Sequence, residues 1–466
     1  MLFGLRQLPT HTCYQEAKTL FCLTYPMFLA QGIQVSIGFA EILIISPLGQ
    51  EATAALSIGS TIFFTVWVML LGAISSVSAI VARQYGQQVA PYSVGQVGQQ
   101  ALWYGLLLSV VGILLLSGMT QLLDRYLNMP QSIINETVLF INVIMLGLPG
   151  SMLYLAATEY TASLSRTKII MMTNLCGLFV NILLDYILVH GLWNAPQMGV
   201  CGCAAGRAIT YWFNSAFILF YISRHTGYKP FGLFRCFARP HIQVIFHLLR
   251  IGFFSGLSYL LEICLITAAT VIGTHFGAAY VVSQNIVINF CSILYMLPQS
   301  FSIALSIRIS EKIGQNQLQD ARALCGIGLL VSLMLALIFS IVIWIMRYPI
   351  MDLYSNDTSV IAIGASLLWL GALFLAFNDV QTVASGALRG YKKTMNALFI
   401  HLITYLGIGI PLAYCLALPT PLNQWFGHVL TIGWQGTWIG IVAGLLTASI
   451  ALFIYLSYVT RREKIN

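Results

Sequence analysis

Charge is what this sequence has least of. Asp, Glu, Lys and Arg together make up 8% of its 466 residues, against roughly a quarter in a soluble domain. With 58% hydrophobic residues the chain has too little polar surface to cover a water-soluble fold, so it reads as a polytopic membrane protein. Its formal charge of +8 is no nucleic-acid signal, because Lys and Arg fall in short connections and at the ends. Catalytic signatures are missing as well. There is no HExxH, GxSxG or CxxC and no GxxxxGK[ST] loop, which sets aside a zinc protease, a serine hydrolase, a redox dithiol and an ATP-driven pump within this chain. The ten cysteines are scattered through apolar segments, with Cys201 and Cys203 the only close pair, and read as small buried thiols. The eight histidines pair with no acid at a useful helical spacing. His401, early in an apolar segment, reads as a packing residue rather than a proton relay. Residues 1–17 show no apolar core followed by a cleavage site, so no removable signal peptide is expected.

What the chain has instead is apolar length. Twelve segments stand at about 18–46, 52–82, 97–120, 134–160, 169–190, 200–223, 245–275, 279–307, 323–346, 359–388, 395–418 and 433–459. Most exceed the ~20 residues needed to cross a ~30 Å hydrocarbon layer. Even-numbered connections carry the cations: Arg83, then Arg166 and Lys168, then Arg224, Lys229, Arg235 and Arg239. Lys312 and Arg322 follow the eighth segment, Arg389, Lys392 and Lys393 the tenth, and Arg461, Arg462 and Lys464 end the chain. Odd-numbered connections carry only Arg125 and Arg347. The positive-inside rule then puts both termini in the cytoplasm, and a bacterial inner membrane is the expected location.

The two halves resemble each other. Gly49 and Gly86 are 37 residues apart, as are Gly277 and Gly314, inside LGQEATAAL…VARQYGQ and FGAAYVVSQ…RISEKIGQ. SLSRTK answers ALRGYKKT, and GVCGCAAG at Gly199 answers GWQGTWIG at Gly433. The repeat implies an all-α fold of twelve transmembrane helices in two pseudo-symmetric six-helix bundles of like orientation. We place an N-terminal lobe at 1–223, a basic cytoplasmic linker at 224–244 and a C-terminal lobe at 245–466. Parallel repeats of this kind mark transporters, although a duplicated channel or membrane enzyme shares the pattern.

A few charges fall inside these spans. Glu262 is the lone charge of IGFFSGLSYLLEICLITAATVIGT, twelve residues or about 18 Å from Arg250, near the bilayer midplane. Insertion of such a charge costs about 2.5–3.5 kcal/mol, which makes it a functional-site hypothesis by default. Asp379, ten residues from Arg389, reaches a similar depth, about 15 Å. Two adjacent carboxylates would retain one proton or hold one cation, with Na+ a candidate at Glu262 and Asp379. Separately hydrogen-bonded acids are the alternative. In the first half, Glu41, Asp185 and Arg207 lie toward the outer side, with Asn181 one turn before Asp185 on the same helix face. Arg207 is expected to pair with Asp185 or Glu41, since an unpaired guanidinium there would cost far more. Pro26, inside the first span, marks a helix kink, static or moving.

Taken together, EICLITAATVIGTHFGAAYVVSQNIVINFCSILYMLPQSFSIALSIRISEKIG, NDVQTVASGALRGYKKT and NILLDYILVHG resemble the multidrug and toxic compound extrusion (MATE) transporters, NorM-like branch. The resemblance covers nearly the whole chain. It implies a V-shaped pair of bundles and alternating access. Cationic, lipophilic drugs and dyes would leave in exchange for Na+ or H+ as coupling ion, with no cofactor, no nucleic acid and no enzymatic activity. Partners would be the lipid bilayer and the organic cations, and one chain carrying both lobes is expected to work as a monomer. By position, Glu262 and Asp379 match the family's second-lobe acids, and Gln284 and Asn289 its eighth-helix polar residues. Asn181 and Asp185 match a first-lobe polar pair, and Glu41 stands where Asp is common. Arg207 replaces a small residue beside that pair, and Leu375 stands where Tyr is frequent. The resemblance to the broader superfamily keeps a lipid-linked precursor flippase as the alternative function.

Overall fold

In a hydrocarbon layer backbone amides have no partner but each other, so apolar runs of this length must be helical. The computed structural model describes residues 10–126, 130–194, 196–234, 238–419 and 432–462. Arg235 and Lys464 lie outside the described residues. Within them the helices are α1 (Thr10–Ile45), α2 (Gln50–Ile74), α3 (Ser76–Gly86), α4 (Pro91–Tyr126), α5 (Gln131–Met145), α6 (Leu148–Ser163), α7 (Lys168–His190) and α8 (Val200–Arg224). There follow α9 (Ile242–Gly273), α10 (Ala278–Gly314), α11 (Leu318–Tyr354), α12 (Thr358–Gly390), α13 (Thr394–His401), α14 (Ile410–Ala417) and α15 (Trp434–Arg462).

Several expected segments are subdivided. The second is α2 and α3, broken at Ser75, and the fourth is α5 and α6, bent by 48° where Gly147 and Pro149 interrupt the helical ladder. The eleventh joins α13 to α14 through a π-helical stretch, Leu402–Gly409. Among the described residues, ten helices are long and apolar enough to cross a membrane, eleven with the bent pair. The remaining segment, α8, has the length. Its hydropathy is lowered by Arg207, Thr210, Asn214 and Ser215, of which the last three are buried inside the bundle.

The internal repeat is written into the backbone. Short 3-10 turns occupy Ser46–Leu48 and Thr274–Phe276, each ending at a glycine that opens the next helix. Gly49 (φ 110°, ψ 176°) and Gly277 (φ 91°, ψ 172°) share a conformation that a Cβ would forbid. Non-glycine residues repeat their left-handed φ too: Gln88 (52°) with Asn316 (60°), and Ser165 (59°) with Lys392 (59°).

Two compact units form, and they do not divide at the expected linker. One, here the N-unit, is Tyr25–Gly256. The other, the C-unit, is Met1–Thr24 with Leu257–Asn466. The start of α1 thus joins the C-unit core, where Leu20 and Leu23 pack among Ala304, Leu305, Leu388 and Leu452. The start of α9 joins the N-unit, where Gly252 and Gly256 let its backbone approach the carbonyls of Ala73 and Met69. Ser76 Oγ also donates to Leu248 O at 3.1 Å.

The stretch expected as a plain linker is anchored. Gln99 Nε2 donates to Leu233 O at 2.6 Å, Gln100 Nε2 to Arg239 O at 3.0 Å, and Tyr228 is buried under the Arg166 guanidinium, 4.7 Å from its ring centroid. Burial pushes the Tyr228 phenol above its ordinary value. Pro26 is buried within an unbroken α1, and the division between the units falls one bond earlier, between Thr24 and Tyr25.

Candidate functional site

In the N-unit the isolated charges find each other. Arg207 of α8 grips Glu41 of α1 with both ends of its guanidinium fork, Nε donating to Oε1 at 2.7 Å and the Nη2 group to Oε2. Glu41 is 2% exposed and Arg207 half-buried, so Glu41 without the guanidinium would be an uncompensated buried charge. Asp185 lies within the field of this pair without touching it, and Asn181 Nδ2 donates weakly to its Oδ1 at 3.5 Å. Asp185 Oδ2 and Asn181 Oδ1 have no hydrogen-bond partner and are buried. The site is packed tightly: a Cβ on Gly206 would collide with Asp185 Oδ1.

The C-unit corrects the expected pairing of acids. Glu262 of α9, partly exposed, is faced by Asn378 and Gln381 of α12 and by Tyr295 of α10, and its charge also falls on Tyr405. Asp379 is not among these neighbours. It is fully buried near Cys291 of α10, with neither carboxylate oxygen partnered. The reason is angular. Each residue turns a helix by about 100°, so Asn378, Gln381, Thr382 and Ser385 form one face of α12, and Asp379 shares the neighbouring face with Leu375 and Val383. The depths of the two acids match while their directions differ. Na+ shared between Glu262 and Asp379 is therefore not what this arrangement offers, and among the described residues no three His, Cys, Asp or Glu side chains gather as a metal-binding group.

Two other expected members stand elsewhere. Gln284 Nε2 donates to Thr270 Oγ1 at 2.8 Å, two turns along α9 from Glu262. Asn289 is exposed, and its Oδ1 accepts from Tyr354 Oη at 3.2 Å.

Conversely, the sequence reading passed over groups that belong to the site. Gln381 Nε2 donates to Asn378 Oδ1 at 2.7 Å, and Tyr295 Oη shares a hydrogen bond with Thr382 Oγ1 at 2.8 Å. His401, 4% exposed, sets its Nε2 2.9 Å from Gln381 Oε1 and stacks on Tyr405 with ring centroids 5.2 Å apart. The signal for α12 was present: NDVQTVAS places polar residues at i, i+3, i+4 and i+7 in an otherwise apolar helix. For Tyr405 there was none, because the π-helical turns that bring it beside His401 leave no mark in an apolar run.

A third group of charges gathers in the C-unit. Arg308 of α10 holds Glu16 of α1 through Nε and Nη2 at 2.8 and 3.0 Å and reaches Glu311 at 2.7 Å. Lys312 Nζ lies 3.1 Å from Glu16 and 3.3 Å from Asp320. This cluster fixes the first turns of α1 to α10 and α11.

A duplicated helical fold that sets a carboxylate–guanidinium pair inside one unit and, inside the other, an acid faced by amides and phenols has the features of a membrane transporter. The MatE family model matches residues 26–187 and 255–415, one match in each half, and the chain belongs to that family. It is 33% identical over 463 residues to a probable multidrug resistance protein NorM of Chromobacterium violaceum, covering 99% of this chain and 98% of that one. Against the multidrug resistance protein PmpM of Pseudomonas aeruginosa the identity is 30%, covering 96% and 92%. A crystal structure of a eukaryotic MATE transporter superposes with a TM-score of 0.84 at 17% identity, over 97% of this chain and 99% of that one. The fold is thus that of MATE transporters, a multi-pass membrane protein as expected, in the NorM-like branch.

Proposed function

We propose that this protein is a secondary active exporter of cationic, lipophilic drugs and dyes, driven by influx of Na+ or H+ through alternating access. The observation that carries the reading is Glu262: an acid in mid-span, faced by Asn378, Gln381 and Tyr295 and, among the described residues, by no cationic side chain that neutralises it. Such a group holds an ion when the ion is supplied and is costly when bare, which is what exchange requires. The names of its relatives, multidrug resistance proteins, support the substrate class. Asp379 is the second acidic station, a fully buried carboxyl with neither oxygen partnered among the described residues.

The N-unit site works differently under this reading. Arg207 occupies the place of an exchangeable cation, so the Glu41–Arg207 pair is a fixed network for structure or gating. Both termini are cytoplasmic, the membrane is a bacterial inner membrane, and one chain, carrying both units, works alone. The test is dye efflux from liposomes holding the purified protein, under Na+ and pH gradients imposed separately. Uphill dye movement under at least one gradient is expected; dye movement that follows neither would overturn the reading.

A further inference from the structure

The hydrogen bonds around Glu262 have a direction, and one residue outside the carboxylate's own shell sets it. His401 Nε2 lies 2.9 Å from Gln381 Oε1 and 3.4 Å from Ser385 Oγ, while its Nδ1 is buried without a partner. An amide oxygen only accepts, so the imidazole nitrogen against it must carry the hydrogen. Gln381 then points its amide nitrogen the other way, to Asn378 Oδ1 at 2.7 Å and to Thr382 Oγ1 at 3.3 Å. With Asn378 Oδ1 engaged, the Asn378 amide nitrogen is what remains to face Glu262. Along the second branch, Thr382 engages Tyr295, whose phenol also faces the carboxylate.

The opposite orientation is disfavoured at each step. Turning the Gln381 amide alone would set two acceptor oxygens against each other at the 2.7 Å contact. Turning Gln381 and Asn378 together would aim Asn378 Oδ1 at the Glu262 carboxyl, which is repulsive for the bare anion and needs either a proton on the carboxyl or a cation between the oxygens. That reversed chain is the one a hard cation such as Na+ needs, because such ions are held by oxygen ligands. His401 opposes the reversal, because Nε2 could accept from a turned Gln381 amide only with the imidazole hydrogen moved to Nδ1, which is buried with no acceptor. The imidazole is itself held: its ring lies 21° from parallel to Tyr405, which the π-helical stretch beginning at Leu402 brings into place.

We propose that His401 is a positioning residue of the Glu262 site, which through Gln381 turns amide nitrogens rather than amide oxygens toward the carboxylate and so denies Na+ its ligands. The inference rests on the reading of Glu262 as the coupling site. The other titratable groups around the carboxylate are Tyr295 from α10, Tyr405 from the π stretch and Tyr259 of α9. Tyr259 also carries the Arg389 guanidinium, 5.8 Å from its ring centroid. These phenols remain in every variant below.

The experiment compares dye efflux driven by a pH gradient with that driven by a Na+ gradient in liposomes, for wild type, His401→Phe and His401→Gln. Phe keeps a ring on Tyr405 and removes the N–H; Gln keeps a donor. For wild type, pH-driven efflux is expected to exceed Na+-driven efflux by about tenfold or more, the size of one hydrogen bond to a charged group. In His401→Phe that ratio falls by about tenfold, and in His401→Gln it is retained. Gln381→Leu, which removes the intermediary, shifts the ratio as His401→Phe does, and the two combined shift it no further. This second variant decides the matter if His401→Phe does not fold. An unchanged ratio in the variants, or wild-type efflux driven by Na+ alone, overturns the inference and leaves the proposed function standing. Absence of driven efflux under both gradients overturns the two together.

Discussion

At an offset of 228 residues, Gln34 of the N-unit stands where the C-unit has Glu262, and at 227 residues Asn174 stands for His401, Tyr154 for Gln381 and Ser151 for Asn378. One contact repeats: Tyr154 lies beside Asn174 as Gln381 lies against His401. The other N-unit contacts are its own: Gln34 Nε2 donates to Asn174 Oδ1 at 2.9 Å, and Trp67, at the place of Tyr295, donates to Ser151 Oγ at 2.8 Å. The N-unit thus places neutral polar groups at the positions of the C-unit corner. In the C-unit one amide of that corner is a carboxylate, and the neighbours are longer amides, a phenol and an imidazole. The N-unit's own acids, Glu41 and Asp185, stand where the C-unit has Ala269 and, on the same 227 offset, Leu412. Duplication supplied two scaffolds, and the chemistry settled at different places in each: a tethered Arg207 answers the charge of Glu41 in one, and among the described residues neutral groups face Glu262 in the other.

That difference is open to attack at several points. The largest expected effect is on transport. Asp379 stands at the place of Met152, buried in the N-unit core. If it is a working acid, Asp379→Asn inserts normally and loses ion-driven efflux by at least about tenfold, the behaviour of a functional intramembrane acid. Wild-type rates would make it a packing residue like Met152.

Next comes the N-unit pair. Arg207→Met should destabilise the protein in detergent by about 3–5 kcal/mol, because Glu41 is left buried and alone, and adding Glu41→Gln should recover much of the loss. Thermal unfolding of the two variants checks this. A neutral effect would mean that the pair is not a fixed network.

Smaller is the effect at the swapped ends of α1 and α9. The α1 end is held by Glu16 on Arg308 and Lys312, and the α9 end by close glycine packing. Glu16→Gln should cost about 2 kcal/mol, the scale of a hydrogen bond to a charged group. Burial raises the Glu16 site's dependence on its partners, so unfolding unaffected by the substitution would show that apolar packing of Leu20 and Leu23 alone suffices.

The least effect is expected at helix starts. Asp357 caps α12 by accepting from Ser359 N at 2.8 Å, whereas Pro130 opens α5, its counterpart, with no side-chain cap. The hydroxyl and N–H of Ser359 hold the Asp357 carboxyl below its ordinary value. Its contribution is therefore present above the unfolded-state value and is lost as pH falls through the lower folded-state one. Asp357→Ala should remove that acid-side dependence and little else, as read by thermal unfolding across acidic pH.

The spans and the repeat were readable in the sequence because both are local: hydropathy follows segment by segment, and Gly49 and Gly277 announce their turns. The partner of Arg207 was foreseeable, since a buried guanidinium demands a carboxylate, although the choice of Glu41 over Asp185 was not. Depth, counted along a helix, came out equal for Glu262 and Asp379, but depth is one coordinate. One step along α12 moves a side chain by about 100°, and this hands the contact to Asn378. Gln284 and Asn289 are turned toward Thr270 and Tyr354, directions that depth along a helix does not give. The exchange of helix ends between units, and the π-helical turn behind His401, depend on packing that no apolar run encodes visibly.

The central claim is that, of the two repeat-related corners, only the one bearing Glu262 exchanges an ion. Glu262→Gln gives the C-unit the amide that the N-unit already has at Gln34. The decisive measurement is uphill dye export by this variant in liposomes under imposed pH and Na+ gradients, at wild-type levels of inserted protein. The account predicts no uphill export under either gradient. Export at the wild-type rate by Glu262→Gln would contradict it.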